Sequence, residues 1–594
     1  MIRTPLRPLA RILDARSRGE NPDVIEQENL RVRHEQLRDR ARQCAEGRLL
    51  VLGMFFVLAF GIVGLRMGML ATSEPAEPRV DVPGAQIHAA RADIVDRHGS
   101  ILATNLETHA LYAQPPQMID PVFAAEELAR IFPDLDAPEL LEDFTGKRKF
   151  LWIKRKLSPE QMQAVHDIGD PGLLFASRDM RLYPNGTLAA HVLGGAGFGK
   201  EGVHGAELIG VAGVEKFFDD RLRDPAQAAK PLELSLDLTV QAASERVLAG
   251  GMKLMNAKGA TSILMDAYTG EVVSVVSLPS FDPNDRPRRN TFTDPSDNPR
   301  FNRSVQGVYE LGSTFKIFTV AQAMDLGLAN PQTVIDTKGP LRWGRHRIRD
   351  FRWYGDEMSV TKVIVKSSNI GTARLAQAIG VERQRAFLAR LGMLEPTGFE
   401  LVEAGTGRPL LPPNWSELST MTISYGHGLS TSPMHLATGY AALANGGYKV
   451  RPTILKQDAP QQGERVFSAA TARASVDMLR QVVTEGTASF GEVKGYAVAG
   501  KTGTADKPRR QGGGYYEDKV IATFASVFPA NDPRYVLIVT LDEPVETIGD
   551  EPRRTAGWTA VPVAAEMIRR VAPLLGLRPT VEPNPMTDVK LTSN

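Results

Sequence analysis

Three short motifs contain the residues of this chain that could perform chemistry together. In chain order they are Ser313-Thr314-Phe315-Lys316, Ser367-Ser368-Asn369 and Lys501-Thr502-Gly503. They supply a serine hydroxyl, an amine three residues after it, a hydroxyl and amide pair, and a second ammonium group. Acyl transfer through an active-site serine requires these groups. The sequence therefore predicts Ser313 as the nucleophile and Lys316 as its base.

A lysine can act as this base only when its amine is neutral. An exposed lysine has a pKa of about 10.4 and is charged at neutral pH. Burial lowers the pKa of an amine, and so does a second ammonium group nearby. We therefore expect Lys316 and Lys501 to lie in one cleft.

The other motif residues have chemically suitable side chains for binding and proton transfer. We expect Ser367 to relay a proton to the leaving group and Asn369 to hold a substrate amide. Thr502 and Thr504, together with Lys501, offer donors to a carboxylate. The missing side chain of Gly503 predicts a close approach by the substrate backbone.

Two other segments fit the same patterns by chance. Ser359-Val360-Thr361-Lys362 fits the first motif but lies only five residues before Ser367, and Ser296-Asp297-Asn298 fits the second motif but precedes Ser313. Because the order and spacing are wrong, we expect both to be ordinary surface sequence.

The elements around the motifs predict an α+β fold. Gly312-Ser313-Thr314 begins an apolar pattern with helical spacing, which places Ser313 and Lys316 on one helix face. Strands at both ends of the region, with helices between them, indicate one antiparallel sheet built from distant segments and flanked by helices. The predicted helices and strands of this region are helices 313–325, 361–379, 382–391, 433–445, 468–485 and 560–575, and strands 261–265, 271–276, 496–500, 520–528 and 535–541.

Composition excludes several other classes of site. The net charge of the 594 residues is +1, which gives no bias toward nucleic acid. Cys44 is the only cysteine, so neither an intramolecular disulfide nor a cysteine zinc site can form. The ten histidines include no HExxH motif. We expect no metal, no cofactor and no nucleic-acid partner.

An apolar run near the N-terminus predicts a membrane anchor. Residues 49–65 are uncharged, and eleven arginines and eight acidic residues precede them. Seventeen helical residues span about 26 Å, and residues 66–70 extend this to the thickness of a bilayer core. The arginines clustered before the run place the N-terminus in the cytoplasm. A cleaved signal peptide is the alternative, and the long polar segment before the run disfavours it.

The predicted division is a cytoplasmic tail (1–47), a transmembrane helix (48–71), a pedestal domain (72–232), a catalytic domain (233–578) and a disordered tail (579–594).

The chain resembles the class B penicillin-binding proteins, in particular the division-specific type. The resemblance extends from the anchor to about residue 575 and includes motifs outside the catalytic three. The chain differs at Leu311 and Ala92, where family members commonly have Pro and Gly. The additional motifs are Arg91-Ala92-Asp93-Ile94-Val95-Asp96-Arg97-His98-Gly99, Arg181-Leu182-Tyr183-Pro184, Ala190-His191-Val192-Leu193-Gly194, Gly213-Val214-Glu215, Ser424-Tyr425-Gly426-His427-Gly428, Asp532-Pro533-Arg534 and Asp542-Glu543-Pro544.

This resemblance implies a peptidoglycan D,D-transpeptidase of septal cell-wall synthesis. Ser313 would attack the penultimate D-Ala of a stem peptide, and the acyl group would pass to an amine on a neighbouring stem. Backbone N–H groups of Ser313 and Thr504 would form the oxyanion hole, and β-lactams would acylate Ser313 as substrate mimics. The implied location is the bacterial inner membrane, with the catalytic domain in the periplasm. The implied partners are a septal glycan polymerase and other division proteins.

Several alternatives remain at this stage. The elongation-specific transpeptidase shares every catalytic motif. A β-lactamase would need a carboxylate to activate water, and a β-lactam receptor would need a larger cytoplasmic domain than residues 1–47. An inactive scaffold is disfavoured by the intact motifs. A bifunctional penicillin-binding protein would need a glycosyltransferase domain, for which residues 80–232 are too few.

Overall fold

A computed structural model describes residues 7–72, 91–201, 206–287, 292, 294–509, 513–549 and 551–580. The chain divides into two compact units, residues 1–77 with 114–151 and residues 78–113 with 152–594. The predicted linker at 74–78 lies outside the described residues, as do residues 581–594 of the predicted C-terminal tail.

The helices and strands are numbered in chain order. The helices are α1 (Arg7–Ser17), α2 (Pro22–Thr72), α3 (Pro121–Ile131), α4 (Ala137–Thr145), α5 (Pro159–His166), α6 (Ala190–Leu193), α7 (Gly213–Phe217), α8 (Asp219–Arg223), α9 (Leu238–Leu254), α10 (Lys316–Asp325), α11 (Val360–Val365), α12 (Asn369–Ile379), α13 (Val381–Arg390), α14 (Glu417–Ser424), α15 (Pro433–Ala444), α16 (Ala469–Glu485) and α17 (Ala560–Leu574). The strands are β1 (Ile94–Val95), β2 (Ile101–Ala113), β3 (Leu151–Leu157), β4 (Leu173–Leu182), β5 (Gly195–Glu201), β6 (Ala206–Ala212), β7 (Leu232–Glu233), β8 (Gly259–Asp266), β9 (Val272–Leu278), β10 (Val334–Asp336), β11 (Leu341–Trp343), β12 (His346–Ile348), β13 (Glu357–Ser359), β14 (Ala499–Pro508), β15 (Tyr515–Phe528) and β16 (Tyr535–Asp542).

A five-stranded antiparallel sheet forms the centre of the catalytic region. Its strand order is β14-β15-β16-β8-β9, so strands from the two ends of this region lie side by side. Every residue of β8, β9 and β16 is buried. Such strands require cover on both faces, and α9, α17 and α15 pack against the sheet. The predicted α+β class and antiparallel sheet are confirmed.

A second five-stranded sheet lies before the catalytic region. Strands β3, β2, β1 and β7 follow one another in it, and β4 pairs with β2 along ten residues. Three of the additional motifs, those that contain Arg91, Arg181 and Glu215, meet in a buried ion cluster beside this sheet. Arg91 Nε and Arg181 Nε donate to the two carboxylate oxygens of Glu215, at 2.6 and 2.7 Å. Arg91 also binds Asp219 at 2.7 Å, and the Tyr183 hydroxyl donates to Glu215 at 3.2 Å.

The N-terminal apolar run lies in the long helix α2. Within it, Arg48–Met67 is long and apolar enough to cross a membrane, with a mean hydropathy of 2.4 and no part of it buried against protein. An apolar helix whose surface is exposed on all sides suits a lipid environment and not a packed core. The boundaries predicted for the tail, anchor, pedestal and catalytic domains stay predictions.

Candidate active site

Ser313 lies in a single 3-10 turn that leads into α10. The turn covers Gly312–Phe315, and α10 begins at Lys316, so the first three residues of the predicted helix 313–325 form a 3-10 turn instead. Gly312 has a φ of 57°, a left-handed conformation that favours glycine. The neighbours Gly312, Thr314 and Phe315 are buried, whereas Ser313 is partly exposed. The turn therefore presents the Ser313 hydroxyl at the surface of a rigid core.

Packing from behind fixes the position of this turn. The Tyr440 hydroxyl donates to the carbonyl oxygen of Thr314 at 3.0 Å. The rings of Phe315, Phe318 and Tyr440 meet edge to face, with centroids 5.6 Å apart in each pair. Buried aromatic contacts of this kind add rigidity beyond their area alone.

The predicted helix 361–379 is wrong as one continuous element. The structure has α11 and α12 instead, with a break at residues 366–368. Ser367 has a φ of 61°, which no residue adopts inside a right-handed helix. Ser368 then caps α12, because its side chain accepts a hydrogen bond from Gly371 N at 2.9 Å. The break turns the Ser367 hydroxyl out of the helix and toward the two lysines.

The Ser367 hydroxyl joins the amines of both motif lysines. Lys316 Nζ donates to Ser367 Oγ at 3.0 Å and to its carbonyl oxygen at 2.6 Å. Lys501 Nζ donates to the same Oγ at 2.9 Å. The structure thus brings both motif lysines to one oxygen atom.

Burial lowers the pKa of both lysines, and a lysine that acts as a base near neutral pH requires a lowered pKa. The side chains of Lys316 and Lys501 are fully buried. Burial and the nearby charge of Lys501 hold the pKa of Lys316 well below its ordinary value, although Asp350 opposes this. Burial alone lowers the pKa of Lys501 to about 7. A neutral Lys316 beside a partly charged Lys501 is thus accessible near neutral pH.

The third motif lies inside strand β14 and does not follow a strand. The predicted strand 496–500 is therefore displaced, because β14 begins at Ala499 and continues through Lys501 and Thr504. β14 is one of the two edge strands of the central sheet. Its pairing with β15 is antiparallel, and Lys501 lies opposite Ala525.

Gly503 is required for packing of the protein on itself. A Cβ atom at this position would overlap the carbonyl oxygen of Leu311 and lie 2.8 Å from Thr314 Cγ2. The missing side chain thus lets β14 contact the turn that carries Ser313. The predicted close approach by the substrate backbone stays a prediction.

The remaining β14 residues have polar partners beside the same turn. The hydroxyls of Thr502 and Thr487 share a hydrogen bond of 2.6 Å. Thr504 Oγ1 accepts from Ala556 N at 3.0 Å. A Cβ atom on Gly312 would lie 3.4 Å from Thr504 N. The backbones of Ser313 and Thr504, predicted to supply the oxyanion hole, therefore run close together.

Asp350 is a site residue that sequence reasoning missed. Its Oδ1 accepts from Asn369 N at 2.6 Å and from Ile370 N at 3.0 Å, and its Oδ2 accepts from Ser368 Oγ at 2.6 Å. The Asn369 side chain donates from Nδ2 to the carbonyl oxygen of Arg349 at 2.9 Å. The one available signal was a lone acidic residue within an arginine-rich segment. Asp350 fixes the second motif in place.

Neither chance match belongs to this site. Ser359 caps α11 by accepting from Lys362 N at 3.3 Å, and Lys362 forms an exposed ion pair with Glu485. Ser296 lies in a 3-10 turn, where its hydroxyl donates to Asp294, and Asp297 forms an ion pair with Lys258. Both segments have local structural roles, as the spacing argument predicted.

Comparisons with known proteins match both regions of this chain. The Penicillin binding protein transpeptidase domain matches residues 260–568, and the Penicillin-binding Protein dimerisation domain matches residues 86–228. The probable peptidoglycan D,D-transpeptidase FtsI of Caulobacter vibrioides is 34% identical over 507 residues, covering 84% of this chain and 83% of that protein. The peptidoglycan D,D-transpeptidase FtsI of Escherichia coli K12 is 30% identical over 482 residues, covering 77% and 80%.

A solved structure shows the same architecture. The crystal structure of penicillin-binding protein 3 from Mycobacterium tuberculosis in complex with aztreonam superposes with a TM-score of 0.61 at 26% sequence identity. The match covers 83% of this chain and 98% of that chain. With both domains matched and relatives that extend over most of its length, this chain belongs to the class B penicillin-binding proteins, the family of the peptidoglycan D,D-transpeptidases.

Proposed function

We propose that this chain cross-links peptidoglycan stem peptides at the division septum through an acyl-enzyme on Ser313. The observation that carries the proposal is the Ser367 hydroxyl, which two buried lysine amines bind at 3.0 and 2.9 Å beside the Ser313 turn. A buried amine with a lowered pKa is a base at neutral pH, and a serine nucleophile requires one.

The proposed reaction has two acyl transfers. The Ser313 oxygen attacks the penultimate D-Ala carbonyl carbon while neutral Lys316 takes the hydroxyl proton. The C–N bond then breaks, and the nitrogen of the terminal D-Ala receives a proton through Ser367. In the second half, an amine on a neighbouring stem attacks the ester carbonyl, loses a proton, and returns the Ser313 hydroxyl. β-Lactams acylate the same oxygen. Opening of the lactam ring takes the place of the release of the terminal D-Ala.

The proposed binding groups surround this path. Lys501, Thr502 and Thr504 bind the terminal carboxylate of the donor stem, and Asn369 holds a peptide amide. The N–H groups of Ser313 and Thr504 stabilise the oxyanion. Preorganised donors of this kind supply a large part of the rate enhancement in acyl transfer.

A β-lactamase function is less well supported. Such an enzyme needs a carboxylate that activates water for deacylation. The carboxylate that touches the second motif is Asp350, and it accepts three hydrogen bonds from protein groups. These bonds fix Asp350 to the start of α12, which makes it a poor candidate for activating water and favours transfer to an amine.

Covalent labelling tests the site. A fluorescent penicillin should label the purified full-length chain, and Ser313→Ala should abolish the label. Ser359→Ala is the matched control, because Ser359 has a lysine three residues later but lies in a helix cap. Labelling that survives Ser313→Ala, or that requires Ser359, would contradict the site assignment.

The septal role is supported by the names of the relatives, and depletion of the protein in cells tests it. Filaments that fail to divide are expected, since septal cross-linking would stop while elongation continues. Round, swollen cells would instead favour the elongation-specific alternative. A septal glycan polymerase and other division proteins are the proposed partners.

The proposed topology has residues 1–47 in the cytoplasm and the catalytic region in the periplasm. It is supported by the arginines that precede the membrane-spanning candidate Arg48–Met67. Alkaline phosphatase fused after residue 580 should be active, because this enzyme folds in the periplasm. The same fusion after residue 47 should be inactive, and the opposite pattern would contradict the topology.

A further inference from the structure

An exposed basic hairpin lies between the first two catalytic motifs in the sequence. The basic hairpin, residues 341–354, contains β11 and β12 and has five arginines and one acidic residue, Asp350. All five arginines are exposed: Arg342, Arg345, Arg347, Arg349 and Arg352. Asp350 already accepts three hydrogen bonds from the start of α12 and from Ser368. The hairpin is thus a concentrated positive surface.

The hairpin has one buried side and one charged side. Leu341 and Ile348 lie opposite each other and are buried against Ile370. Arg342 and Arg347 form the next cross-strand pair and are exposed. Like charges directly opposite in a sheet are destabilising. Within the described ranges of the chain, none of the five arginines forms an ion pair with a carboxylate, so folding alone does not account for this arrangement.

Large aromatic rings accompany the arginines. Phe351 is 83% exposed, Trp353 79% and Trp343 38%. Single exposed rings are common, but several on one short segment mark an interaction surface. Arginine binds carboxylates in a bidentate geometry, and aromatic faces pack well against flat apolar surfaces such as the faces of sugar rings.

The hairpin continues directly into the active site. Its Arg349 carbonyl oxygen accepts from Asn369 Nδ2 at 2.9 Å, and Asp350 binds Asn369 N at 2.6 Å. A ligand on the hairpin therefore lies next to the second catalytic motif. The structure places a positive, aromatic surface at one end of the site where acyl transfer is proposed.

We propose that the basic hairpin binds the peptidoglycan strand whose stem peptide is being cross-linked. The arginines pair with stem-peptide carboxylates, and the exposed rings pack on the sugars. This inference rests on the proposed transpeptidase function. It assigns to the hairpin a role in holding the polymer, which a small β-lactam does not need. Because the charges are exposed, the binding weakens as salt increases.

Co-sedimentation of the full-length protein in detergent with purified insoluble peptidoglycan sacculi tests this proposal. The double variant Arg342→Glu/Arg347→Glu should bind at least tenfold more weakly, while the rate of acylation by fluorescent penicillin falls less than threefold. Trp353→Ala should also weaken binding to peptidoglycan. The matched control is Arg385→Glu/Arg473→Glu, which reverses two exposed arginines on α13 and α16 and should leave binding unchanged.

Three results would overturn the inference. The first is unchanged sedimentation of the hairpin double variant. The second is a loss of acylation as large as the loss of binding, since the hairpin would then act only through Asn369. The third is a double variant that no longer binds phosphatidylglycerol–phosphatidylethanolamine vesicles but still binds peptidoglycan. This result would indicate that the hairpin binds the membrane. Failure of Ser313-dependent labelling in the unmodified chain would instead refute the proposed function itself.

Discussion

The Ser367 hydroxyl connects all three catalytic motifs through one oxygen atom. It accepts from Lys316 and Lys501, which approach it from α10 and from the edge strand β14. Two buried amines this close cannot both be charged without strong repulsion. Burial and then the charge of Lys501 lower the pKa of Lys316, which favours the neutral form that the proposed mechanism requires.

Removing that charge should change how acylation depends on pH. In the proposed mechanism acylation requires neutral Lys316, so its rate should rise as pH increases through the pKa of this lysine. Lys501 lowers that pKa. In Lys501→Met the pKa of Lys316 therefore rises, and the acidic limb of the profile should move to higher pH. We also expect a rate loss of about 10²-fold, as for one preorganised donor. The measurement is the second-order rate of penicillin acylation from pH 5 to 10.

Lys362→Met provides the control for this experiment. Lys362 is half exposed and forms a surface ion pair with Glu485, so its profile should match that of the unmodified protein. An acidic limb that stays in place in Lys501→Met would contradict the coupling between the two lysines.

A single methyl group at Gly503 should disturb the nucleophile. In Gly503→Ala the new Cβ would overlap the Leu311 carbonyl oxygen and crowd Thr314. The turn that carries Ser313 must then move, and overpacking of this kind costs about 1–3 kcal/mol. We expect acylation to slow at least tenfold and the melting temperature to fall. Gly250→Ala in α9 is the control, because a Cβ there meets nothing within 4 Å. Normal acylation by Gly503→Ala would show that β14 is not held against the turn.

At the level of secondary structure, the start of α12 holds the second motif. Its first N–H groups all have acceptors: Val363 O for Ser368, Asp350 for Asn369 and Ile370, and Ser368 Oγ for Gly371. Helix starts leave these groups without partners inside the helix. Asp350 also places a negative charge at the positive end of the helix dipole.

Replacement of Asp350 should therefore affect both stability and acylation. Asp350→Ala removes two acceptors at the helix start, and a lost cap costs about 1–2 kcal/mol. We expect lower stability in urea denaturation and slower acylation, because Asn369 and Ser367 lose their fixed positions. Asp350→Asn keeps one acceptor and should recover part of both. Equal stability and equal acylation rates of the Asp350→Ala and Asp350→Asn variants would contradict the idea that Asp350 acts through its hydrogen bonds.

At the scale of the whole molecule, a buried ion cluster stabilises the region before the catalytic sheet. Glu215 is fully buried and binds Arg91, Arg181 and Tyr183. Removing one partner of such a cluster leaves buried charges without compensation, which costs about 3–5 kcal/mol. Glu215→Gln should lower the melting temperature by several degrees in calorimetry.

The control for this cluster is a surface ion pair of the same chemical type. Glu485→Gln breaks an exposed pair with Lys362, and such pairs contribute about 0–1 kcal/mol. Residues 78–113 and 152–594 form one compact unit, so the loss of acylation on heating should follow the lowered transition in Glu215→Gln. Acylation that persists above that transition would indicate that the cluster region unfolds independently.

The sequence predicted those features that depend on local pattern and spacing. Residue type and order selected Ser313, Lys316, Ser367 and Lys501 and rejected the two chance matches. Apolar periodicity located most helices and strands, and the long apolar run identified the membrane-spanning candidate. These signals are strong because helices, strands and spans repeat the same chemistry along consecutive residues.

Features that depend on contacts between distant segments could not be predicted in this way. The break at Ser367 follows from the acceptors that Asp350 supplies, and a continuous apolar pattern conceals it. The role of Gly503 depends on contact between β14 and the Ser313 turn, which are separated by almost 200 residues. The sequence by itself thus determined which groups are candidates for the chemistry and in what order they occur. Only the tertiary structure decided how they meet, because burial, pKa and hydrogen-bond geometry arise from neighbours that are remote in the chain.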